Sequence, residues 1–310
     1  VVPDEVPLYA HARVVASSYG GAVNGVRGGG QSLVNAFSRQ LAQLGVTIHC
    51  GVGVTGIKFS AAGTVAGVQT DNGADVECRA CVSTVHPRYL ADLVPEALFR
   101  PAYRARLKTS QETLSALILY AACDTTPEAL RGRNLVVVSD LEHVASRHEA
   151  AFEEQPLFLA GASPNADGKP NPGGFLAICP MAYADLAGWS DSTTGKRPAG
   201  YTDYKARLTD RLWHRITAVC PAITAHLTHL EAATPLTLRD YVHTPLGSLY
   251  GVKYMTGDHL LGPRTRAAGL YLAGQSILAP GIAGAIVSSF LTCGTIIGHE
   301  RMLKELQAWH

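Results

Sequence analysis

The residues best suited to chemistry lie near the end of the chain, in Gly269-Leu-Tyr-Leu-Ala-Gly-Gln-Ser-Ile-Leu-Ala-Pro-Gly-Ile-Ala-Gly-Ala-Ile-Val-Ser-Ser289. Leu270 to Gly274 reads as a short buried strand. A loop with Pro280 and Gly281 follows. Ile282 to Ile297 then reads as an uncharged, small-residue helix. A strand, a glycine turn and a helix N-terminus together suit a large, partly anionic ligand. Free N–H groups and the positive end of the helix dipole point at it. Gly281 and Gly284 carry no side chain, which leaves room for a flat ring or a phosphate against the backbone. Other reactive groups are sparse. Cys78 and Cys81 form one Cys-x-x-Cys on a predicted strand with no second pair, a pattern of buried reduced thiols rather than of zinc or redox chemistry. His86, before Pro87, reads as a strand end. No Ser/His/Asp set with motif context and no His/Asp metal spacing is present, so no metal site is expected.

This segment resembles the C-terminal flavin-binding signature of the phytoene desaturase, carotenoid isomerase and retinol saturase-like flavoproteins, within the wider amine oxidase-like superfamily. The resemblance implies FAD. It puts Gly274 beside the pyrophosphate, and Pro280, Gly281, Ile282, Ala283 and Gly284 at the pyrimidine edge of the isoalloxazine. A reduced flavin carries negative charge near N1 and O2, which a helix N-terminus stabilises. Gln275 stands where many flavoproteins have an acid that meets the ribityl chain or ribose; an amide can still hydrogen-bond. Val54, in the predicted strand Val52–Lys58, is expected to flank the adenine. His243, before a Pro-Leu-Gly turn, and Tyr250, before Gly251, are the expected substrate-side groups. A core tyrosine with a satisfied hydroxyl is the open alternative for Tyr250. Flavin chemistry asks little of the protein beyond orientation, a dry pocket and a tuned ring. The implied activity is hydride transfer between flavin N5 and an apolar isoprenoid or polyene substrate, as desaturation, saturation or isomerisation. An amine oxidase-type flavoprotein is the alternative enzyme, although its aromatic cage would be drawn from a chain only 7% aromatic. A flavin-free fragment or subunit needing a partner is the non-enzyme alternative.

The elements that must position these groups follow from periodicity. Val26-Arg-Gly-Gly-Gly leads into an amphipathic helix, Gln31 to Leu44, as is common in the family, with Ser17-Ser-Tyr-Gly-Gly-Ala before it. Gly45-Val-Thr-Ile-His and Val52 to Lys58 read as strands. Val65 to Thr70 with Asn72-Gly73 reads as a hairpin, and Val76 to Val85 as one strand. Strands are also expected at Leu114–Ala122, Asn134–Ser139, Leu157–Ala160 and Phe175–Cys179, with a turn-rich loop from Asn165. Tyr204 to Cys220 reads as a helix with Leu208, Leu212, Ile216 and Val219 on one side. The fold class is α/β plus α+β: a partial FAD-binding, Rossmann-like domain (residues 1–86 and 236–310) with an inserted mixed-sheet substrate domain (87–235). The family opens on Gly-x-Gly-x-x-Gly between a strand and a helix. Here only Gly51-Val-Gly-Val-Thr-Gly fits as a string, and strand-like sequence flanks it on both sides. The expectation is therefore an N-terminal part that is cut off or supplied by a partner polypeptide, with weak FAD binding by this chain alone.

Composition bounds the rest. The chain has 310 residues, 47% hydrophobic and 16% charged, with net charge +1, enough for a sizeable core and without the basic surface that nucleic acid needs. Seven scattered cysteines fit a reducing, cytoplasmic setting. Residues 279–297 are apolar enough to raise a membrane span, but Pro280, Gly281, Gly284, Ser288, Ser289, Thr292 and Gly294 argue for a buried helix. Peripheral membrane contact is compatible with a lipid-like substrate.

Overall fold

The computed structural model describes residues 25–139, 150–163, 173–255 and 261–308, with Pro7, Leu8, His11, Ala12 and Ala16. The Ser17 segment and most of the loop from Asn165 lie outside the described residues. In chain order the elements are α1 (Gly29–Gln43), β1 (Val54–Phe59), β2 (Val65–Thr70), β3 (Asp75–Glu77), β4 (Cys81–Ser83), α2 (Pro87–Leu93), α3 (Pro101–Lys108), β5 (Ser115–Cys123), β6 (Asn134–Val137), β7 (Leu157–Gly161), β8 (Gly174–Met181), α4 (Ala199–Val219), β9 (Leu227–Ala233), α5 (Pro235–Val242), β10 (Leu270–Leu272), α6 (Gly281–Ile297) and α7 (His299–Gln307). Helices are mixed with several sheets. The chain divides into two compact units, the first Val1–Ile48, Leu114–Val242 and Leu246–Leu249, the second His49–Thr113, His243–Pro245 and Tyr250–His310.

The first unit holds a five-stranded sheet of order β6-β7-β8-β5-β9, antiparallel throughout. Strand side chains alternate between faces. Leu117 and Leu119 of β5 and Leu157 and Leu159 of β7 join Leu208, Leu212 and Ile216 of α4 in one core. Their fourfold spacing on α4 is the helical stripe expected of a one-sided surface helix. That stripe ends on Cys220, which is buried, whereas Val219 is 45% exposed. The stripe continues four residues after Ile216, at Cys220, and Val219, three residues after it, falls one short. At the N-terminal end, α1 closes on Gly45 (φ 72°), with Gly45 N–H bonded to Ala42 O and Val46 N–H to Leu41 O. This left-handed stop is a Schellman motif. The predicted strand Gly45–His49 does not form: the glycine serves the helix end instead.

The second unit has a three-stranded antiparallel sheet, β1-β2-β3, and a parallel pair, β10 with β4. Asn72-Gly73 turns β2 into β3 as expected, with Gly73 at φ 83°. The single strand expected over Val76–Val85 is two strands in two sheets. Cys78 N–H still donates to Ala66 O of β2, but Cys81 N–H already donates to Gly269 O beside β10. The chain changes partner within three residues. Ile57, Val65, Leu90, Phe99, Leu107, Leu270 and Leu272 form this unit's core.

Candidate flavin site

Two strand-to-helix turns start from the carboxyl ends of the parallel pair. β4 runs through Thr84 and His86 into α2, and β10 runs through Gly274 into the loop before α6. The pairing Leu272–Ser83 and the bond from Ala273 N–H to Ser83 O put the two strand ends side by side. The missing Cβ of Gly274 would lie 3.7 Å from Thr84 O. In open α/β sheets, ligands sit in the crevice outside such carboxyl ends.

The two helix starts differ. His86 Nδ1 accepts from Arg88 N–H, which caps α2. Its Nε2 lies 3.1 Å from Glu112 Oε2, with both side chains buried. That contact is close but not aligned as a hydrogen bond from the ring. His86 is thus a structural cap, as its position before Pro87 suggests. Helix α6 has no side-chain cap and no acid in its first turn. Its leading N–H groups keep their dipole uncompensated. Pro280, Gly281, Ile282 and Ala283 are exposed. Gly281 has φ 81°, and a Cβ there would meet nothing within 4 Å. A planar anionic ring edge fits such a start.

Gly284 has a different role from the one its size suggests. A Cβ there would sit 2.0 Å from Ala279 O, so the loop itself requires this glycine. Gly274 N–H donates to Ser288 Oγ at 2.8 Å, and Thr292 Oγ1 lies 2.7 Å from Leu272 O. Ser288 and Thr292 are 0% and 1% exposed. They pin α6 to β10. The sequence signal for them is a small or hydroxyl residue every four positions, Gly284-Ser288-Thr292, in an otherwise apolar helix.

Gln275 is half-buried, and the missing Cβ of Gly251 would fall 3.5 Å from its Nε2. Tyr250 precedes that glycine, is 47% exposed, and has its N–H on Thr113 Oγ1. Backbone bonds Thr113 to Gly251 and Lys253 to Gln111 hold the segment in place. Tyr254, which sequence reasoning missed, donates its hydroxyl to Ser276 O at 2.5 Å. Tyr250 is therefore not a core tyrosine, and its segment runs against the Gln275 loop. His243 is exposed at φ 55°, in the left-handed region that only it and Leu246 occupy among described non-glycine residues. Such backbone strain concentrates at functional loops. Val54 begins β1, an edge strand, and is 42% exposed. Gly51 to Gly56 runs into this strand and not into a helix. Burial pushes the Cys81 thiol up, and neighbouring Cys78 adds to it. Among the described residues no group of three or more His, Cys, Asp or Glu could hold a metal, and no helix is long and apolar enough to cross a membrane.

The first unit carries an apolar hollow of its own, about 400 Å³. It opens on the sheet face opposite α4. Ala160, Leu176, Tyr120 and Glu231 form one row across four strands, and Gly174, Ala122 and His229 a second. Small residues, Ala122, Ala160 and Gly174 among them, leave room between Tyr120, Leu176, His229 and Glu231.

Comparison with known proteins identifies the family. The family of flavin containing amine oxidoreductases matches residues 8–297, and the chain belongs to it. Its cofactor is FAD, and the uncapped, acid-free start of α6 fits the ring end of that group. The all-trans-retinol 13,14-reductase of Macaca fascicularis is 25% identical over 99% of this chain and 54% of its own length. That of Danio rerio is 26% identical over 66% of this chain and 37% of its own. The chain thus spans about half the length, or less, of these curated relatives. Among solved structures, cyclohexylamine oxidase from Brevibacterium oxydans IH-35A aligns with TM-score 0.54 at 16% identity, over 98% of this chain and 61% of that one. An oxidoreductase from Methanosarcina mazei gives 0.54 at 15%, over 84% and 53%. At these identities the structures show a shared fold.

Proposed function

We propose that this chain carries the ring-facing and substrate-facing parts of an FAD-dependent oxidoreductase that reduces a carbon–carbon double bond in an apolar polyene. The observation that carries this reading is the mostly apolar hollow in the first unit, rich in alanine and glycine, with His229 and Glu231 at one side. A conjugated chain offers area but almost no hydrogen bonds, and such a lining suits it. The retinol reductases named above support the choice of substrate class and direction. In this reading residues 1–86 and 236–310 belong to the FAD domain and 87–235 to the substrate domain.

FAD supplies hydride chemistry at its ring. The start of α6 stabilises negative charge at the pyrimidine edge through its free N–H groups. Ser288 and Thr292 fix that helix start against β10, so the donors need no rearrangement. Gln275 would hold the ribityl side through its amide. Tyr250 and His243 are the groups available to deliver the proton that accompanies hydride addition. Val54 offers the unpaired edge of β1 to the adenine.

The test is anaerobic. The chain with dithionite-reduced FAD is given all-trans-retinol, and a product heavier by two hydrogens is sought by mass spectrometry. Its formation, dependent on Tyr250 or His243, supports the proposal. Turnover of cyclohexylamine by oxidised FAD, with none of retinol, would replace it with amine oxidation.

A further inference from the structure

We propose that Arg100, Arg106, Arg264 and Arg266 form a binding site for a phosphate-bearing group, separate from the flavin site. The four line one hollow of about 470 Å³ in the second unit, together with Tyr103 and the buried Thr265, and no carboxylate lines it. All four are exposed.

Several arginines elsewhere spend their donors on the protein itself, and others, such as Arg27 and Arg79, stand singly at the surface; these four differ in lining one hollow together. Arg104 donates to the carbonyls of Ala91, Val94 and Pro95, and Arg215 to those of Phe152 and Gln155. Arg197 and Arg239 pair with Asp240, and Arg211 with Glu153. Among the described residues, the guanidinium groups of Arg100, Arg106, Arg264 and Arg266 make no ion pair and no hydrogen bond. Four like charges that converge without a counter-charge repel one another, and an anion relieves this. Their positions are set by the backbone. Thr265 is buried, with its hydroxyl accepting from Ala267 N–H and 2.8 Å from Leu270 O, so Arg264 and Arg266 flank it facing outward. Arg106 stacks over the Tyr103 ring at 5.2 Å. Burial pushes the Tyr103 hydroxyl up while the charges of Arg106 and Arg266 pull it down, which places both guanidinium groups near it.

Guanidinium forks match phosphate oxygens bidentately, and a tyrosine hydroxyl adds a further donor. The segment of Arg264 runs antiparallel to β10, pairing Arg264 with Tyr271, and comes before that strand. The flavin turn comes after it. The phosphate could be free or part of an anionic lipid headgroup.

Two titrations on the full chain separate these sources. One is calorimetry with inorganic pyrophosphate. The other is co-sedimentation with phosphatidylcholine vesicles, with and without phosphatidylglycerol. Each is repeated on Arg264→Ser/Arg266→Ser, on Arg100→Ser/Arg106→Ser, and on the charge-matched control Arg131→Ser/Arg133→Ser. The expected result is saturable binding in one arm that weakens by about fivefold for each pocket arginine removed. The control keeps wild-type affinity. Pyrophosphate binding alone identifies a soluble phosphate ligand, and binding only to phosphatidylglycerol vesicles identifies a lipid. No binding in either arm, equal weakening in the control, or displacement of pyrophosphate by FAD would overturn the assignment.

Discussion

Helices α4 and α6 are the two longest among the described residues, and they use their apolar residues in opposite ways. Helix α4 buries Leu208, Leu212 and Ile216 against the five-stranded sheet and turns its polar side outward. Helix α6 has no charged residue at all, yet it buries Gly284, Ser288, Thr292 and Gly294 and leaves Ile282, Ile286, Phe290 and Leu291 exposed. The first helix is held by area removed from water. The second is held by close backbone approach and by two hydroxyls bonded to β10. An apolar helix therefore need not bury its apolar side. Here the contact with the strand demands small residues, because α6 lies close against β10 and the loop before it.

The comparison makes a quantitative prediction for folding. Leu212→Ala removes a fully buried side chain and should cost about 2–5 kcal/mol in urea denaturation. Ile282→Ser, at a position 61% exposed, should cost no more than about 0.5 kcal/mol. Equal losses would show that α6 is held by its apolar side after all.

Next in size are the hydroxyls. Thr292→Val keeps the shape of the side chain but leaves Leu272 O without its partner, a loss of about 1–3 kcal/mol. Ser288→Ala strips the acceptor from Gly274 N–H and should cost a similar amount. Both should also weaken FAD binding, read by quenching of flavin fluorescence. A stability loss with unchanged FAD affinity would detach the pinning of α6 from the cofactor.

The two glycines of this helix then separate folding from binding. Gly281→Val meets open space and pays only the strain of its positive φ, about 1–2 kcal/mol. In the proposed flavin site its side chain would stand at the ring edge, so on that reading FAD affinity should fall far more than stability. Gly284→Ala drives a methyl into Ala279 O, and the loop before the helix must move. Retained FAD affinity in Gly281→Val would remove the ring from this turn.

Much of this frame is legible in the residues. Asn72-Gly73 announces its hairpin, the fourfold leucines announce α4, and Gly274 to Gly284 announces the strand, turn and helix. What the sequence conceals depends on partners distant along the chain. β9, Leu-Thr-His-Leu-Glu-Ala-Ala, is too polar to read as a strand and exists because β5 pairs with it. The break between β3 and β4 arises because Gly269 competes with Ala66 for the same segment. Ser288 and Thr292 look neutral in a helix until β10 lies against them. The four arginines of the second hollow come from two segments that only the fold brings together.

The smallest expected effect belongs to the first unit's hollow. Glu231 stands at its rim, and a hydrogen bond from Lys205 Nζ at 2.9 Å is the main cause holding its carboxyl below the ordinary value. A depressed folded pKa contributes stability above the unfolded value, about 4.3, and that contribution is lost as pH falls through the folded value. The Glu231 side chain is 60% exposed, so solvent screens the pair and its contribution is only about 0–1 kcal/mol. Glu231→Gln should therefore be slightly less stable than the parent at pH 7, and the gap should close in strong acid and shrink with added salt. The apolar floor at Ala122, Ala160 and Gly174 is uncharged and should show neither dependence. A gap that persists unchanged in acid would mean that Glu231 acts through packing in the hollow and not through its charge.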